Sequence, residues 1–182
     1  MGCFKPLAHR REEFAINGLS IGNTQLPPIA VSLIQRRDDP LLLRSGLDGL
    51  IGYALLKDRS VEIDYLDREL RIGSNGIQVK FGIRSEMNFD GHLPIVQGEL
   101  ELLMGSFVID SGTPYSTLPT DTVARSGLEV RPPLEGHQRI ESIVRPGHLR
   151  IGPLLADDTV CVVRPRALGD GKILGLAGSH TF

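Results

Sequence analysis

The sequence contains no tryptophan, three tyrosines, six phenylalanines and two cysteines. With so few aromatics, any core must be built from Val, Ile and Leu. Cys3 lies near the N-terminus and Cys161 in the apolar run Val160-Cys161-Val162-Val163. Two cysteines so placed are no disulfide framework, and no metal-ligand spacing accompanies them. Cys161 reads as a buried, inert thiol. An excess of one charge is also missing: 20 Lys and Arg stand against 22 Asp and Glu, interspersed, for a net charge of −2. That balance offers no electrostatic footprint for nucleic acid or for an anionic membrane. The run Arg36-Arg37-Asp38-Asp39 cancels itself and reads as a solvated loop. No apolar stretch reaches the length of a membrane span. Met1-Gly2-Cys3-Phe4-Lys5-Pro6 has no apolar h-region and so does not read as a signal peptide. Pro6 also stands where a myristoylation signal wants Ser or Thr. The expectation is a soluble chain with no membrane or nucleic-acid partner, its compartment left open. The five histidines, His9, His92, His137, His148 and His180, are scattered through polar, turn-rich text and read as surface residues.

What the sequence does hold is glycine and proline, 21 and 12, falling between short runs of Val, Ile and Leu. At 41% hydrophobic residues the chain has enough for a real core. Ser60 to Tyr65 alternates as a half-buried strand does, and the pattern resumes from Arg68 to Ile72 after the turn-like Leu66-Asp67, giving a β-hairpin. Further strands are expected at Ile29–Ile34, Gly76–Phe81, Ile95–Leu102, Gly105–Ile109, Gln138–Val144 and Thr159–Val163. Two short helices are expected, Tyr53–Lys57 and Thr120–Arg125, the second with Thr120 as N-cap and Gly127 as its stop. The fold class is all-β, or mainly β.

An internal repeat organises the chain. Leu19-Ser20-Ile21-Gly22 matches Leu149-Arg150-Ile151-Gly152 at an offset of 130 residues, and the strands Ile29–Ile34 and Thr159–Val163 follow at the same offset. A polar loop then leads to Leu50-Ile51-Gly52 in one copy and Ile173-Leu174-Gly175 in the other. By this register a counterpart of Asp110 would fall about 20 residues upstream of Met1. The expected division is residues 1–73, the C-terminal half of a first lobe, and residues 74–182, a second lobe.

The segment that bears chemistry runs Gly105-Ser106-Phe107-Val108-Ile109-Asp110-Ser111-Gly112-Thr113-Pro114-Tyr115-Ser116-Thr117-Leu118-Pro119. Asp-(Ser/Thr)-Gly alone arises by chance in about one chain in ten of this length, and then marks a turn or an N-cap. Here an apolar strand precedes it, Thr113 follows it, and Ile173-Leu174-Gly175 stands downstream. Gly112 would let the backbone turn tightly, while Ser111, Thr113 and backbone amides offer hydrogen bonds to the Asp110 carboxylate. Asp48 reads as a turn residue, Asp64 as solvent-facing, and Asp157-Asp158 as a loop pair.

This segment resembles the active-site strand and loop of aspartic proteases, most closely the Asp-Ser-Gly-Thr form in the second lobe of pepsin-like enzymes. The apolar-apolar-Gly motifs, Asp48-Gly49-Leu50-Ile51-Gly52 above all, resemble the element that crosses behind the catalytic loop in retropepsin-like domains. The resemblance covers about Leu19 to Gly178. It implies acid-protease-like closed β-barrel lobes with internal duplication, as in a two-lobe bacterial-type aspartyl protease. It implies Asp110 as a catalytic residue, Ser111, Gly112 and Thr113 as its supporting loop, and Leu134–His148 as the hairpin covering the cleft. The activity implied is aspartic-type endopeptidase, acting on a peptide or protein substrate with a water activated between two aspartates, and with no cofactor or metal. The sequence departs from that pattern by showing one such loop. Three readings follow: part of a two-lobe protease whose missing N-terminal lobe half carries the other loop, a homodimer, or a non-catalytic peptide- or protein-binding module. The repeat register favours the first.

Overall fold

Short runs of alternating residues, each broken by a glycine or a polar turn, give many brief strands and few helices. The computed structural model describes residues 13–33, 46–73, 76, 82–132, 142–165 and 172–181. Outside them lie Cys3, His9, His137, the 36–39 charge run, the strand expected at Gly76–Phe81 beyond its first residue, and positions 134–141 of the expected cleft hairpin. The chain divides into two units, Met1–Val79 and Lys80–Phe182. No helix among the described residues is long and apolar enough to cross a membrane.

In the first unit β1 (Glu13–Ile16), β2 (Ser20–Ile21), β3 (Thr24–Gln25) and β4 (Ile29–Ser32) make two small sheets. β1 pairs antiparallel with β4, and β2 with β3. A short helix, α1 (Tyr53–Leu56), precedes the hairpin of β5 (Ser60–Asp64) and β6 (Glu69–Gly73). The hairpin turns through four residues rather than two, with Arg68 at φ 57°. Asp64, expected to face solvent, is half-buried and accepts hydrogen bonds from the amides of Leu66 and Asp67 at 3.0 and 2.9 Å. Ile63, expected to face inward, is exposed; among the described residues these two strands form a two-stranded sheet of their own. Among the described residues Leu26 is the one buried hydrophobic residue of this unit.

The second unit holds β7 (Asn88–Asp90), β8 (Leu93–Leu100), β9 (Leu103–Asp110), β10 (Ser116–Pro119), α2 (Thr120–Ser126), β11 (Ile143–Val144), β12 (Leu149–Ile151), β13 (Leu154–Leu155), β14 (Cys161–Arg164) and β15 (Ile173–Gly178). A 3-10 turn, Ser179–Thr181, follows. These strands form a nine-stranded sheet in the order β11-β14-β10-β15-β9-β8-β12-β13, with β7 on β8. The structure is mostly strand, as the all-β expectation has it, but among the described residues the sheets are not closed into the barrel that the resemblance implied. The core contains Leu100, Phe107, Leu118, Val144, Leu149, Cys161 and Ala177, each fully or almost fully buried. β8 ends two residues earlier than expected, because Glu101 (φ 52°) and Leu102 form the tight turn into β9. Pro119, not Thr120, holds the N-cap position of α2; the Thr120 hydroxyl instead donates to the Arg164 carbonyl at 3.1 Å. Gly127 ends the helix in the left-handed region, φ 71°.

The two units share strand register residue by residue. Glu13↔Ser32 and Phe14↔Val31 in the first unit correspond to Ile143↔Val162 and Val144↔Cys161 in the second, each number raised by 130. Ser20↔Gln25 and Ile21↔Thr24 correspond in the same way to Arg150↔Leu155 and Ile151↔Leu154. The Leu26 amide donates to Leu19 at 2.8 Å, and the Ala156 amide to Leu149 at 2.9 Å. Gly22 and Gly152 turn the two hairpins at φ 55° and 57°, a conformation that glycine adopts without steric cost. The correspondence stops at Gly52 and Gly175, which were expected to be equivalent. Gly175 lies inside β15, where an added Cβ would meet the Thr117 carbonyl oxygen at 2.6 Å. Gly52 lies in coil before α1, with no described atom within 4 Å of that position.

Candidate active site

Asp110 is the last residue of β9, delivered there by a strand whose Phe107 and Val108 are buried. Its carboxylate is half-buried and held from within its own loop. The Gly112 amide donates to Oδ1 at 2.9 Å, and the Thr113 hydroxyl donates to Oδ2 at 2.8 Å. The Thr113 amide closes the turn onto the Asp110 carbonyl at 3.3 Å. Both carboxylate oxygens are thus engaged, so the group has one orientation rather than a free rotor. Gly112 has no positive φ; its contribution is space, since a Cβ there would stand 3.2 Å from Oδ1. Ser111 was expected to add a hydroxyl, but it is exposed and the carboxylate takes its bonds from Gly112 and Thr113 instead.

The strand behind the loop is β15. It runs parallel to β9, with Gly178 opposite Asp110, and antiparallel to β10, with Leu176 opposite Thr117. One strand is therefore threaded between the two arms of the Asp110 loop. Small residues permit this: a Cβ on Gly178 would meet the Tyr115 carbonyl carbon and oxygen at 2.6 Å and the Thr113 carbonyl oxygen at 2.7 Å. The chain beyond β15 then clamps the outgoing arm. The Ser179 amide donates to the Thr113 carbonyl at 2.8 Å and the His180 amide to the Pro114 carbonyl at 2.9 Å. The Ser116 hydroxyl accepts from the Gly178 amide at 3.1 Å and is bonded to the Thr181 hydroxyl. Sequence reasoning named Ile173-Leu174-Gly175 but missed Gly178, Ser116 and Thr181. The available signal was the run of small residues Ala177-Gly178-Ser179, one residue beyond the motif.

Two described carboxylates of the second unit are engaged elsewhere in its sheet. Glu99 of β8 stands opposite Arg150 of β12 and bonds both that guanidinium and His148. The Arg150 hydrogen bonds, and then that of His148, hold the Glu99 carboxyl below the usual carboxylate range. Glu101 accepts from the Gly147 amide at 2.7 Å. Asp48 lies in exposed coil. Cys161 is buried as expected, and burial pushes its thiol up to about 12. Among the described residues no group of three or more His, Cys, Asp or Glu side chains is placed to hold a metal ion. A cavity of about 290 Å³ opens beside the outgoing arm of the loop, between Tyr115, Val162, His180 and the residues 157–160. Asp110, expected in a cleft, is not among its lining residues. A single oriented carboxylate can accept or donate one proton; activating a water against a carbonyl in this manner takes a second, oppositely protonated one.

No family model matches the chain, and the comparison with curated proteins gives no match. Among solved structures the chain is similar to a retropepsin-like aspartic protease from Rickettsia conorii, at 12% identity and a TM-score of 0.36. The match covers 55% of this chain and 82% of that one. At such a distance the likeness transfers no role to any residue.

Proposed function

We propose that this chain supplies one half of an aspartic-type endopeptidase site, with Asp110 as its catalytic carboxylate. The observation that carries the reading is the Asp110 loop itself. Its carboxylate sits at a strand end, both oxygens bonded by Gly112 and Thr113, with β15 threaded between the strands on either side. In the reaction, an ionised aspartate takes a proton from a water that attacks the scissile carbonyl. A protonated partner aspartate gives its proton to the carbonyl oxygen, and the tetrahedral intermediate then collapses with proton transfer to the leaving amine. An extended peptide would bind by strand addition, its backbone hydrogen-bonded and alternate side chains in pockets.

The sequence has one Asp-Ser-Gly-Thr loop, so this mechanism needs a second loop, supplied by a stretch of the same protein outside this sequence, by another copy or by another polypeptide. Turnover of a mixed peptide library against protein concentration, between about pH 4 and about pH 7, tests this. A rate rising with the square of concentration and abolished by Asp110→Asn is the expected result for self-association. Full activity in a proven monomer would overturn the half-site reading. A chain that binds peptides without cleaving them, even with added partner, would instead be the non-catalytic module that a lone loop also allows.

A further inference from the structure

The cavity beside β10 has a composition that the Asp110 chemistry does not use. Its floor is apolar: Ile143 and Val162 are buried, and Val160 is half-buried. One rim is formed by Asp157 and Asp158, both exposed, and neither has a hydrogen bond or ion pair among the described residues. Tyr115 forms part of the wall, its ring edge-on to His180 with centroids 5.4 Å apart. In the first unit the corresponding positions, 130 residues earlier, are the uncharged Pro27 and Pro28, so the carboxylate pair is not a feature of the repeat. Asp158 also adopts φ 54°, outside the conformations that most residues prefer. An apolar floor under two free negative charges matches a ligand with an apolar stem and a cationic head, whose stem desolvates while its head stays at the wet rim. An aromatic wall adds attraction for a planar guanidinium.

We propose that this cavity is a binding pocket for an arginine-type side chain, with the stem over Ile143, Val160 and Val162 and the guanidinium at Asp157 and Asp158. The proposal rests on the cavity alone and does not depend on Asp110 being catalytic. Calorimetric titration of the full chain with Nα-acetyl-arginine methylamide, and with the norleucine analogue of the same stem length, tests it. The arginine probe is expected to bind at least about fivefold more tightly than the norleucine probe, because the rim carboxylates act only on the charged head. Asp157→Asn with Asp158→Asn should remove that preference without unfolding the protein, since asparagine tolerates the left-handed backbone at 158. Raising the salt from about 0.05 M to about 0.5 M should shrink the preference as well. The preference should persist in Asp110→Asn, which separates this site from the peptidase reading. Equal binding of the two probes, no binding of either, or an arginine preference unchanged in the double variant would each overturn the proposal.

Discussion

Phe14 and Val144 hold corresponding places in strand pairs of the same register, yet Phe14 is 48% exposed and Val144 is fully buried. The same contrast runs through the two units. Cys161 of β14 has no exposed surface, while its counterpart Val31 is only half-buried. The difference lies in what flanks each copy. β14 pairs on its other side with β10, and β12 pairs with β8, so the repeat in the second unit is built into a large sheet that folds over Phe107 and Leu118. In the first unit β1–β4 and β2–β3 are separate two-stranded sheets among the described residues. Strand register therefore follows from local alternation and from the glycine turn, whereas burial follows from additional strands, and one does not imply the other.

The largest test of that contrast is Phe107→Ala. The ring is 1% exposed and packs against the places of Gly98 and Gly175. Its loss should cost about 3–5 kcal/mol in denaturant unfolding of the second unit. A much smaller loss would mean that the core is looser than the packing indicates. A sharper comparison sets the matched pair side by side. Val144→Ala should destabilise by about 2 kcal/mol, and Phe14→Ala, although it removes a larger side chain, by less than about 1 kcal/mol. Equal losses would break the distinction between the two copies.

Cys161 should resist thiol reagents at about pH 8 in the native protein and react on unfolding, because burial keeps it protonated up to about 12. Rapid native labelling would show that the β10–β14–β11 region opens readily. The smallest effect concerns Glu99, whose partner Arg150 has Ser20 as its counterpart, so this ion pair belongs to the second unit alone. The folded pKa of Glu99 is depressed, so its stabilising contribution is present above the unfolded carboxyl value and is lost as pH falls through the folded one. Glu99→Gln should therefore be slightly less stable than the parent at neutral pH, with the gap closing in acid. A gap that widens in acid would reverse the assignment.

Much of the fold was legible because it rests on near neighbours. The hairpin at Ser60 to Ile72, the strand leading into Asp110 and the stop at Gly127 were read from alternation and turn residues, and each recurs within a residue or two. The same local text placed Asp110, Gly112 and Thr113 together, because the bonds of that loop span no more than three residues. The clamp was not legible. Ser116 to Gly178 is a contact across 62 positions, and Ser116 to Thr181 across 65, and the small-residue run at Ala177-Gly178-Ser179 does not say which distant strand it meets. Ser111 was named with the other donors because side-chain composition shows which donors are available, whereas loop geometry selects Gly112 and Thr113 as those bonded to the carboxylate.

The sequence by itself determined where the short hairpin of each copy reverses, since Gly22 and Gly152 stand at matching places and take the left-handed backbone without steric cost. It also determined the local bonding of the Asp110 loop, whose donors lie within hydrogen-bond reach along the chain. Only the tertiary structure decided which copy of the repeat acquired a core and that β15 lies between β9 and β10. It also decided that a cavity opens beside Tyr115 on the outgoing arm of the Asp110 loop. Those outcomes depend on strands far apart in sequence meeting in one sheet, and on whether glycine leaves them room to do so.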